Sequence, residues 1–333
     1  MCEIQQSRCE VLGCEERMMQ MFGRILAIMF IVSSTIVPIC LADFSFDDNG
    51  TSLTVVDDGK PVLSYNYGRM DPPEAANKER YWRSCYIHPV YGLDGDILSG
   101  DFQSDHLHHR GLFWAWPKCV LGEQPVDEWH LVNVRQHFEQ WLAREAGTDK
   151  AEVAVQNVWR LDGEPEPWVR ETIRFTVLPV EDDARSIDFH LKFANVSEEV
   201  VTVKGQDKAG YGGFSLRPDA ARPDRVITTA KGVLEKDTDS IDTPWADHSS
   251  RVKPGGPVSG VAIFQHPRNP GYPHSGWTLR HYGFLGADWP HDQPVKLDPG
   301  DSFELRYRLY IHRGTAEDAK VAAKYEAYLK QKQ

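Results

Sequence analysis

Long basic runs are missing from this sequence of 333 residues. It carries 37 Lys and Arg against 49 Asp and Glu, a formal net charge of −12. Neutralising the phosphates of a nucleic acid requires a basic face, and no block here is rich enough in Lys and Arg to form one. Nucleic acid and anionic membrane surfaces are therefore not expected partners.

The sequence has one long apolar segment, residues 25–32, and lacks a second. This segment follows Arg24 and continues through small and apolar residues to the polar residue Asp43. This pattern is typical of a secretory signal, so residues 1–42 are predicted to be a cleaved signal peptide of an exported protein, periplasmic or secreted. An uncleaved anchor and a lipidated Cys40 are the alternatives. Nothing later approaches the ~20 apolar residues of a membrane helix, so no stable span is expected after cleavage.

Cysteine is scarce beyond the predicted signal. Of six cysteines, only Cys85 and Cys119 lie after residue 42. In an oxidising compartment these two can form one disulfide, and two buried thiols are the alternative. No CxxC motif and no Cys/His spacing typical of zinc sites is present. A Gly-x-Ser-x-Gly nucleophile elbow is absent as well.

Strand patterns dominate the rest of the chain. Residues 51–56 and 60–65 flank a short Gly-containing turn and predict an opening hairpin. Apolar and polar residues alternate in 169–177 and 186–193, which is typical of antiparallel strands with one wet face. Only residues 316–330 have helical spacing. We therefore predict one all-β domain over residues 43–333, a large antiparallel β-sandwich with a C-terminal helix. The supersandwich of galactose-mutarotase-like proteins is one form of this architecture.

Residues 105–116 combine three histidines, Asp105, Arg110 and two tryptophans within a dozen positions. Such a mixture is unusual for a folding core and typical of a site that binds a polar ring or a metal ion. If the stretch is a strand, His106 and His108 lie on one face and His109 on the other. Only one of these faces is then expected to line the site.

A metal-dependent enzyme, oxygenase-like in its reaction, is one interpretation of this stretch. His106 and His108 form a His-x-His pair, and Glu128 and His130 form a second pair with the same spacing. Three imidazoles and a carboxylate suit one divalent transition metal ion.

Carbohydrate chemistry is the leading interpretation. Tryptophans can stack on a pyranose ring, and Asp, His and Arg side chains can hydrogen-bond its hydroxyls or hold a carboxylate. Histidine also serves as a general acid or base near neutral pH, and His108 and His109 are the predicted catalytic residues. The predicted substrate-binding residues are His88, Asp105, Arg110, Trp114, Trp116, Arg217, His281 and Tyr282. A non-catalytic carbohydrate-binding module is a further alternative, and the expected ligand in each case is a small molecule or an oligosaccharide.

Several motifs, which together cover almost all of the predicted mature chain, resemble one known family. They are the His-Pro-Val-Tyr-Gly segment 88–92, the Asp-His-Leu-His-His-Arg-Gly-Leu segment 105–112, and segments 213–217, 262–270, 297–302 and 307–314. The resemblance is to the bacterial family labelled "methane oxygenase PmoA-like". The monooxygenase subunit of that name spans the membrane several times, so the label does not imply methane oxidation here. Members of the family are often exported by bacteria rich in polysaccharide-degrading systems, which favours carbohydrate chemistry.

Overall fold

Alternating apolar and polar residues form β-strands through most of the chain. The structure is a computed structural model that describes residues 43–73 and 76–331. The predicted signal peptide, residues 1–42, lies outside the described residues.

Strands and helices are numbered in chain order. The strands are β1 Phe44–Asp48, β2 Ser52–Asp57, β3 Lys60–Asn66, β4 Tyr86–Val90, β5 Leu112–Ala115, β6 Cys119–Leu121, β7 Gln124–Val126, β8 Val134–Ala146, β9 Ala151–Leu161, β10 Pro167–Glu181, β11 Ala184–Asn195, β12 Val201–Val203, β13 Gly213–Leu216, β14 Val226–Thr229, β15 Gly232–Val233, β16 Thr238–Ser240, β17 Trp245–Arg251, β18 Val258–Gln265, β19 Gly276–Arg280, β20 Phe284–Asp288, β21 Val295–Leu297 and β22 Ser302–Arg313. The helices are α1 Lys78–Tyr81 and α2 Val321–Lys330.

The strands form two nine-stranded sheets and one of four strands. The first large sheet has the order β1-β2-β3-β4-β5-β13-β20-β19-β16, and the second has the order β15-β14-β17-β18-β22-β11-β10-β9-β8. The small sheet has the order β21-β12-β6-β7. Neighbouring strands pair in the antiparallel sense, for example β10 with β11 and β11 with β22. This arrangement confirms the predicted all-β class with large antiparallel sheets.

The two large sheets pack face to face around one apolar core. Phe214 of the first sheet contacts Phe189 and Tyr307 of the second, with ring centroids 5.2 and 4.6 Å apart. On β10, Ile173 and Phe175 point into this core, while the side chains between the buried positions lie nearer to solvent. The alternation of apolar and polar residues in the sequence therefore corresponds to the alternation of core-facing and solvent-facing side chains in the sandwich.

The opening hairpin and the C-terminal helix are both present, within a few residues of the predicted positions. β2 and β3 form the predicted opening hairpin. The predicted C-terminal helix is present but begins at Val321, five positions after the expected start, because a turn precedes it. Its buried residues Tyr325 and Tyr328 pack on Phe264 of the second sheet.

The face of the first sheet that points away from the sandwich core carries a second, smaller apolar cluster. On β5, Trp114 points into the main core, whereas Phe113 joins the smaller cluster. On β20, Leu285 likewise points into the main core and Phe284 joins the smaller cluster. Trp129, from the loop after β7, completes this outer cluster. The outer face is therefore partly apolar, and the loops that cover it can form a pocket.

Two further sequence expectations concern chemistry and the membrane. Cys85 and Cys119 are buried free thiols, so the alternative of a disulfide between them is not realised. Within residues 43–73 and 76–331, no helix is long and apolar enough to cross a membrane.

Candidate functional site

Residues 105–110 form consecutive turns and not the strand that the sequence suggested. The amide of His106 donates to the carbonyl of Gln103 at 2.9 Å, and the amide of His109 donates to the carbonyl of His106 at 3.0 Å. The strand β5 begins only at Leu112. The prediction that His106 and His108 face away from His109 is therefore wrong, because it assumed the two-residue repeat of a strand.

The turns bring the three imidazole rings together. His106 and His109 stack with centroids 4.6 Å apart and planes 3° apart. His108 lies edge-on to both rings, 5.7 Å from His106 and 4.5 Å from His109. All three rings line one cavity. We call this cavity the histidine pocket.

Gly111 allows the chain to pass from the histidine turns into β5. Its φ of +48° lies in the left-handed region that favours glycine. A Cβ at this position would also collide with the carbonyl oxygen of Ile87 on β4. The turns are thus fixed to the sheet at a point where only glycine fits.

A second turn supplies a fourth imidazole, that of His130. Its amide donates to Asp127 Oδ1 at 2.8 Å, and its Nδ1 lies 2.8 Å from Asp127 Oδ2. The carboxylate of Asp127 thus fixes the ring through both the backbone and the side chain. The His130 ring centroid lies 4.6 Å from that of His108, so the two turns meet at these residues.

Residues distant in sequence complete the histidine pocket. The cavity has a volume of about 180 Å³. It is lined by His106, His108, His109, Trp129, His130, Tyr211, Thr278, Arg280, Tyr282 and Phe284. These come from the histidine turns, the loop after β7, the Gly-Tyr-Gly segment 210–212 before β13, and the adjacent strands β19 and β20 with their connection. Four separate parts of the sequence therefore converge here.

The interior of the pocket holds His108 and His109 in the uncharged form. Burial, together with the nearby imidazoles of His130 and His106, lowers the pKa of His108 to about 3. Burial also lowers the pKa of His109 well below the ordinary value for histidine. At neutral pH both rings are neutral, and each therefore has one donor and one acceptor nitrogen.

Predicted ligand contacts Asp105 and Arg217 support the pocket from behind. Arg217 is fully buried, and its Nη2 donates to both carboxylate oxygens of Asp105, at 2.8 and 2.6 Å. Its guanidinium lies 4.7 Å from the ring centroid of Tyr282, which stacks on His106. Of the predicted substrate-binding residues, only Tyr282 is part of the pocket lining.

Trp114 and Trp116 are not placed to stack on a ligand, because both side chains are buried in the core. The indole of Trp114 donates to Glu171 Oε2 at 3.3 Å, and that of Trp116 donates to the carbonyl of Trp289 at 2.6 Å. Glu171 also accepts hydrogen bonds from Gln136, Asn157 and Trp159. We call this set, Glu171 with Trp114, Gln136, Asn157 and Trp159, the Glu171 network. The predicted stacking role of the two tryptophans is therefore corrected.

Arg110 is likewise a structural residue and not a ligand contact. It is completely buried, where its guanidinium donates to Asp101 and to the hydroxyl of Tyr86 and stacks over the ring of Phe102 at 3.3 Å. These contacts leave it no access to the pocket.

Two predicted histidine contacts also lie outside the pocket lining. His88 Nδ1 lies 2.9 Å from the hydroxyl of Ser99. Both ring nitrogens of His281 already have partners, Asp237 at 2.7 Å and the carbonyl of Leu234 at 2.9 Å. Neither ring is therefore placed to contact a ligand in the pocket.

The predicted metal-ligand set His106, His108, Glu128 and His130 is not assembled. Glu128 is buried outside the pocket lining, and neither of its carboxylate oxygens has a hydrogen-bond partner among the described residues. Burial raises its pKa well above the ordinary value. Across the described part of the chain, no group of three or more His, Cys, Asp or Glu side chains is arranged to hold a metal ion.

Sequence reasoning missed five residues of the lining: Trp129, Tyr211, Thr278, Arg280 and Phe284. Tyr211 lies between Gly210 and Gly212, and Arg280 directly precedes the predicted ligand contacts His281 and Tyr282. Thr278 and Phe284 carry no comparable signal, because they reach the pocket through the pairing of β19 with β20.

Comparison with known proteins gives one family match and several structural likenesses. A family described as "Family of unknown function (DUF6807)" matches residues 52–326. No curated protein matches the chain. A GH36 alpha-galactosidase, AgaA from Geobacillus stearothermophilus, superposes with a TM-score of 0.40 at 10% identity, over 81% of this chain and 40% of that one. The chain thus spans about two fifths of the length of that enzyme.

Two further solved structures are similar at the same level. YeaD from Salmonella typhimurium, a candidate mutarotase, gives a TM-score of 0.37 at 11% identity, over 82% of this chain and 94% of that one. A mutant of the heparan sulfate lyase HepC from Pedobacter heparinus gives 0.31 at 8% identity, over 83% of this chain and 36% of that one.

Proposed function

We propose that this chain, which belongs to the DUF6807 family of unknown function, binds a carbohydrate in the histidine pocket. The observation that carries the proposal is the lining itself, in which four imidazoles surround a small cavity beside the rings of Tyr211 and Tyr282. A sugar ring presents hydroxyls on its edge and apolar C–H groups on its face. Sites for such ligands combine a few polar groups with aromatic surfaces.

The neutral state of His108 and His109 suits hydroxyl ligands. A sugar hydroxyl donates one hydrogen bond and accepts others, and a neutral imidazole does both through its two nitrogens. Neither ring nitrogen of His108 has a hydrogen-bond partner within the described residues. His108 is therefore free to satisfy a ligand hydroxyl.

The size of the cavity favours a short ligand. Its volume of about 180 Å³ is below the roughly 300–1,000 Å³ of pockets for drug-sized ligands. A single sugar unit, or the terminal unit of a chain, fits this space better than an internal stretch of polysaccharide.

Calorimetric titration with glucose, galactose, fructose, glucuronate and cellobiose tests the proposal. We expect at least one of these sugars to bind the wild-type protein and to bind His108→Leu at least about tenfold more weakly, the loss of roughly one hydrogen bond. His190→Leu is the matched control, since His190 is half-exposed on β11, where it bonds Glu304. If none of the sugars binds, or if both variants bind as the wild type does, the proposal is wrong.

Incubation of the binding sugar with the protein separates an enzyme from a binding module. Conversion to a new species would show catalysis, whereas recovery of the unchanged sugar would favour the non-catalytic module.

The proposed location is outside the cytoplasm, and it is supported by the signal-like segment 1–42 of the sequence. Expression of the full chain, followed by fractionation and N-terminal sequencing, tests this. We expect a periplasmic or secreted product that begins at Asp43. A cytoplasmic product that retains the segment would contradict export.

A further inference from the structure

We infer that the histidine pocket catalyses proton transfer at a carbon next to a carbonyl group of a neutral sugar, with His130 as the base, Asp127 as its positioning residue and His108 as the hydrogen-bond donor to the carbonyl oxygen. This inference rests on the proposed function, because it requires a sugar in the same pocket. The candidate activity is that of an isomerase or epimerase.

The Asp127–His130 pair has the arrangement of an oriented base. The Nδ1 of His130 faces Asp127 Oδ2 at 2.8 Å, and since a carboxylate only accepts, Nδ1 carries a proton. The tautomer that acts as a base therefore has its lone pair on Nε2, which has no hydrogen-bond partner among the residues of the described chain. A base whose tautomer is fixed by a third group is a recurring catalytic element.

His108 lies beside this base. The two ring centroids are 4.6 Å apart, which is close enough for the rings to reach neighbouring atoms of one ligand. Burial holds the pKa of His108 near 3, so His108 reaches the ligand as a neutral N–H donor. A neutral imidazole can polarise a carbonyl and stabilise the enolate that forms when the adjacent carbon loses its proton.

The atoms balance without any further reactant. His130 Nε2 takes the proton from the carbon, and the electron pair of the C–H bond becomes the C=C bond of the enol form. The carbonyl oxygen gains the negative charge, which the hydrogen bond from His108 stabilises. Return of the proton to the same carbon gives exchange on the same face and epimerisation on the opposite face. Isomerisation needs one more transfer, in which the hydroxyl proton of that carbon moves to the former carbonyl oxygen while the carbon-bound proton returns to the former carbonyl carbon.

The pocket lacks the groups that glycoside hydrolysis normally requires. Most glycosidases place two carboxylates on either side of the bond to be cleaved, about 5–9.5 Å apart. Among the described residues that line this pocket, none is Asp or Glu. Asp127 and Asp105 stand behind the lining and are bonded to His130 and Arg217.

The charge of the lining favours a neutral sugar over a uronate. Arg280 is the one cation fixed at neutral pH among the described lining residues. Its guanidinium donates to the carbonyl of Thr238 at 2.6 Å and to the carboxylate of Asp239. This charge is already compensated, so a ligand carboxylate gains little from it.

Hydrogen–deuterium exchange into the sugar tests the inference. The protein is incubated in D2O with fructose, glucose or glucuronate, and NMR follows the loss of the C–H signal next to the carbonyl while calorimetry measures binding. We expect exchange in a neutral sugar that binds, and none with heat-denatured protein. A sugar that binds but exchanges no carbon-bound hydrogen would overturn the inference and leave the proposed function intact. If no sugar binds, the proposed function fails as well.

Variants separate the two roles. Asp127→Asn is expected to lower the exchange rate by roughly 10²-fold, with the dissociation constant changed by less than about threefold, and His130→Gln is expected to lower the exchange rate by 10²-fold or more. The ¹⁵N shifts of His130 should also report loss of the Nδ1–H tautomer in Asp127→Asn, which a merely structural role would not predict. Asp292→Asn is the matched control, because Asp292 contacts His291 outside the pocket lining. Equal effects of Asp127→Asn and Asp292→Asn would contradict the assignment.

Discussion

The Glu171 network and the histidine pocket differ in whether their polar groups have hydrogen-bond partners. Glu171 is fully buried and accepts hydrogen bonds from four side chains. His108, a few residues before Trp114 of that network, is mostly buried but has no such partner within the described chain. Buried polar groups are normally paired. A complete set of partners therefore indicates a structural role, whereas a missing partner indicates a position that a ligand fills.

One strand separates the two regions. Trp114 points from β5 toward Glu171, and Phe113 points from the same strand toward the floor of the pocket, with its ring 5.1 Å from Trp129. Substitutions on the inner face should therefore change stability, and those on the outer face should change ligand binding.

The largest expected effect is that of Glu171→Ala. It leaves four buried donors without their shared acceptor, so we expect a loss of about 3–5 kcal/mol in the free energy of unfolding. Denaturant unfolding measures this. Glu181→Ala, at the exposed end of the same strand β10, should change stability by less than about 0.5 kcal/mol. Similar losses in the two variants would remove the distinction between the network and the surface.

Acidification is the next largest effect, and it acts on the pocket. The unfolded chain protonates His108 near pH 6.5, whereas the folded chain protonates it only near pH 3. Stability is therefore complete above pH 6.5 and falls as the pH drops toward 3, by about 2 kcal/mol between pH 7 and pH 5 from this group. Besides burial, the low pKa of His108 has as causes the positive charges of His130, His106, Arg83 and Arg80.

The pH effect is measured as the slope of unfolding free energy against pH for wild type and His108→Leu. The variant should have a shallower slope, because it lacks the group that protonates. Identical slopes would show that His108 titrates equally in both states.

His108→Leu should also stabilise the ligand-free protein at pH 7, by about 0.5–1 kcal/mol, since it replaces a partly buried polar ring that lacks hydrogen-bond partners among the described residues with an apolar side chain. The melting temperature should rise while sugar affinity falls. A loss of stability would mean that His108 has structural partners of the kind that Glu171 has.

Tyr282→Phe is expected to have the smallest effect. The ring that stacks on His106, with centroids 5.4 Å apart, is retained, so stability should change by less than about 0.5 kcal/mol. If the hydroxyl contacts the ligand, affinity should fall by roughly one hydrogen bond, about 0.5–1.5 kcal/mol. Titration and denaturant unfolding on the same variant separate the two quantities. A loss of stability larger than the loss of affinity would place Tyr282 with the structural residues.

The sandwich was predictable because its strands repeat one local rule. On β10 the inward positions Val169, Glu171, Ile173, Phe175 and Val177 can be read directly from the alternation, and all five are buried. A sheet with one wet face imposes this pattern on each strand separately. The positions therefore follow from the sequence without knowledge of the partner strands.

The site was less predictable because its geometry depends on turns. Strand spacing pairs His130 with Glu128, two positions away, whereas the turn pairs it with Asp127, three positions away. The large aromatic surface of Trp114 is consistent with stacking on a sugar ring, but it is equally consistent with burial in the core, which is what the structure has. Thr278 on β19 and Tyr211 in the segment before β13 are far apart in sequence, yet both line the pocket. No local pattern reports such an arrangement.

Gly111 divides this stretch into a part that evolution can vary and a part that it cannot. On one side, His106 and His108 line the pocket and can be exchanged to suit another ligand. On the other side, β5 is fixed by the two cores that it separates. Because the collision with Ile87 admits only glycine at the junction, the binding chemistry can diverge while the register of the sheet is kept. A library that randomises residues 106, 108 and 109 should therefore yield many folded proteins with altered ligand preference.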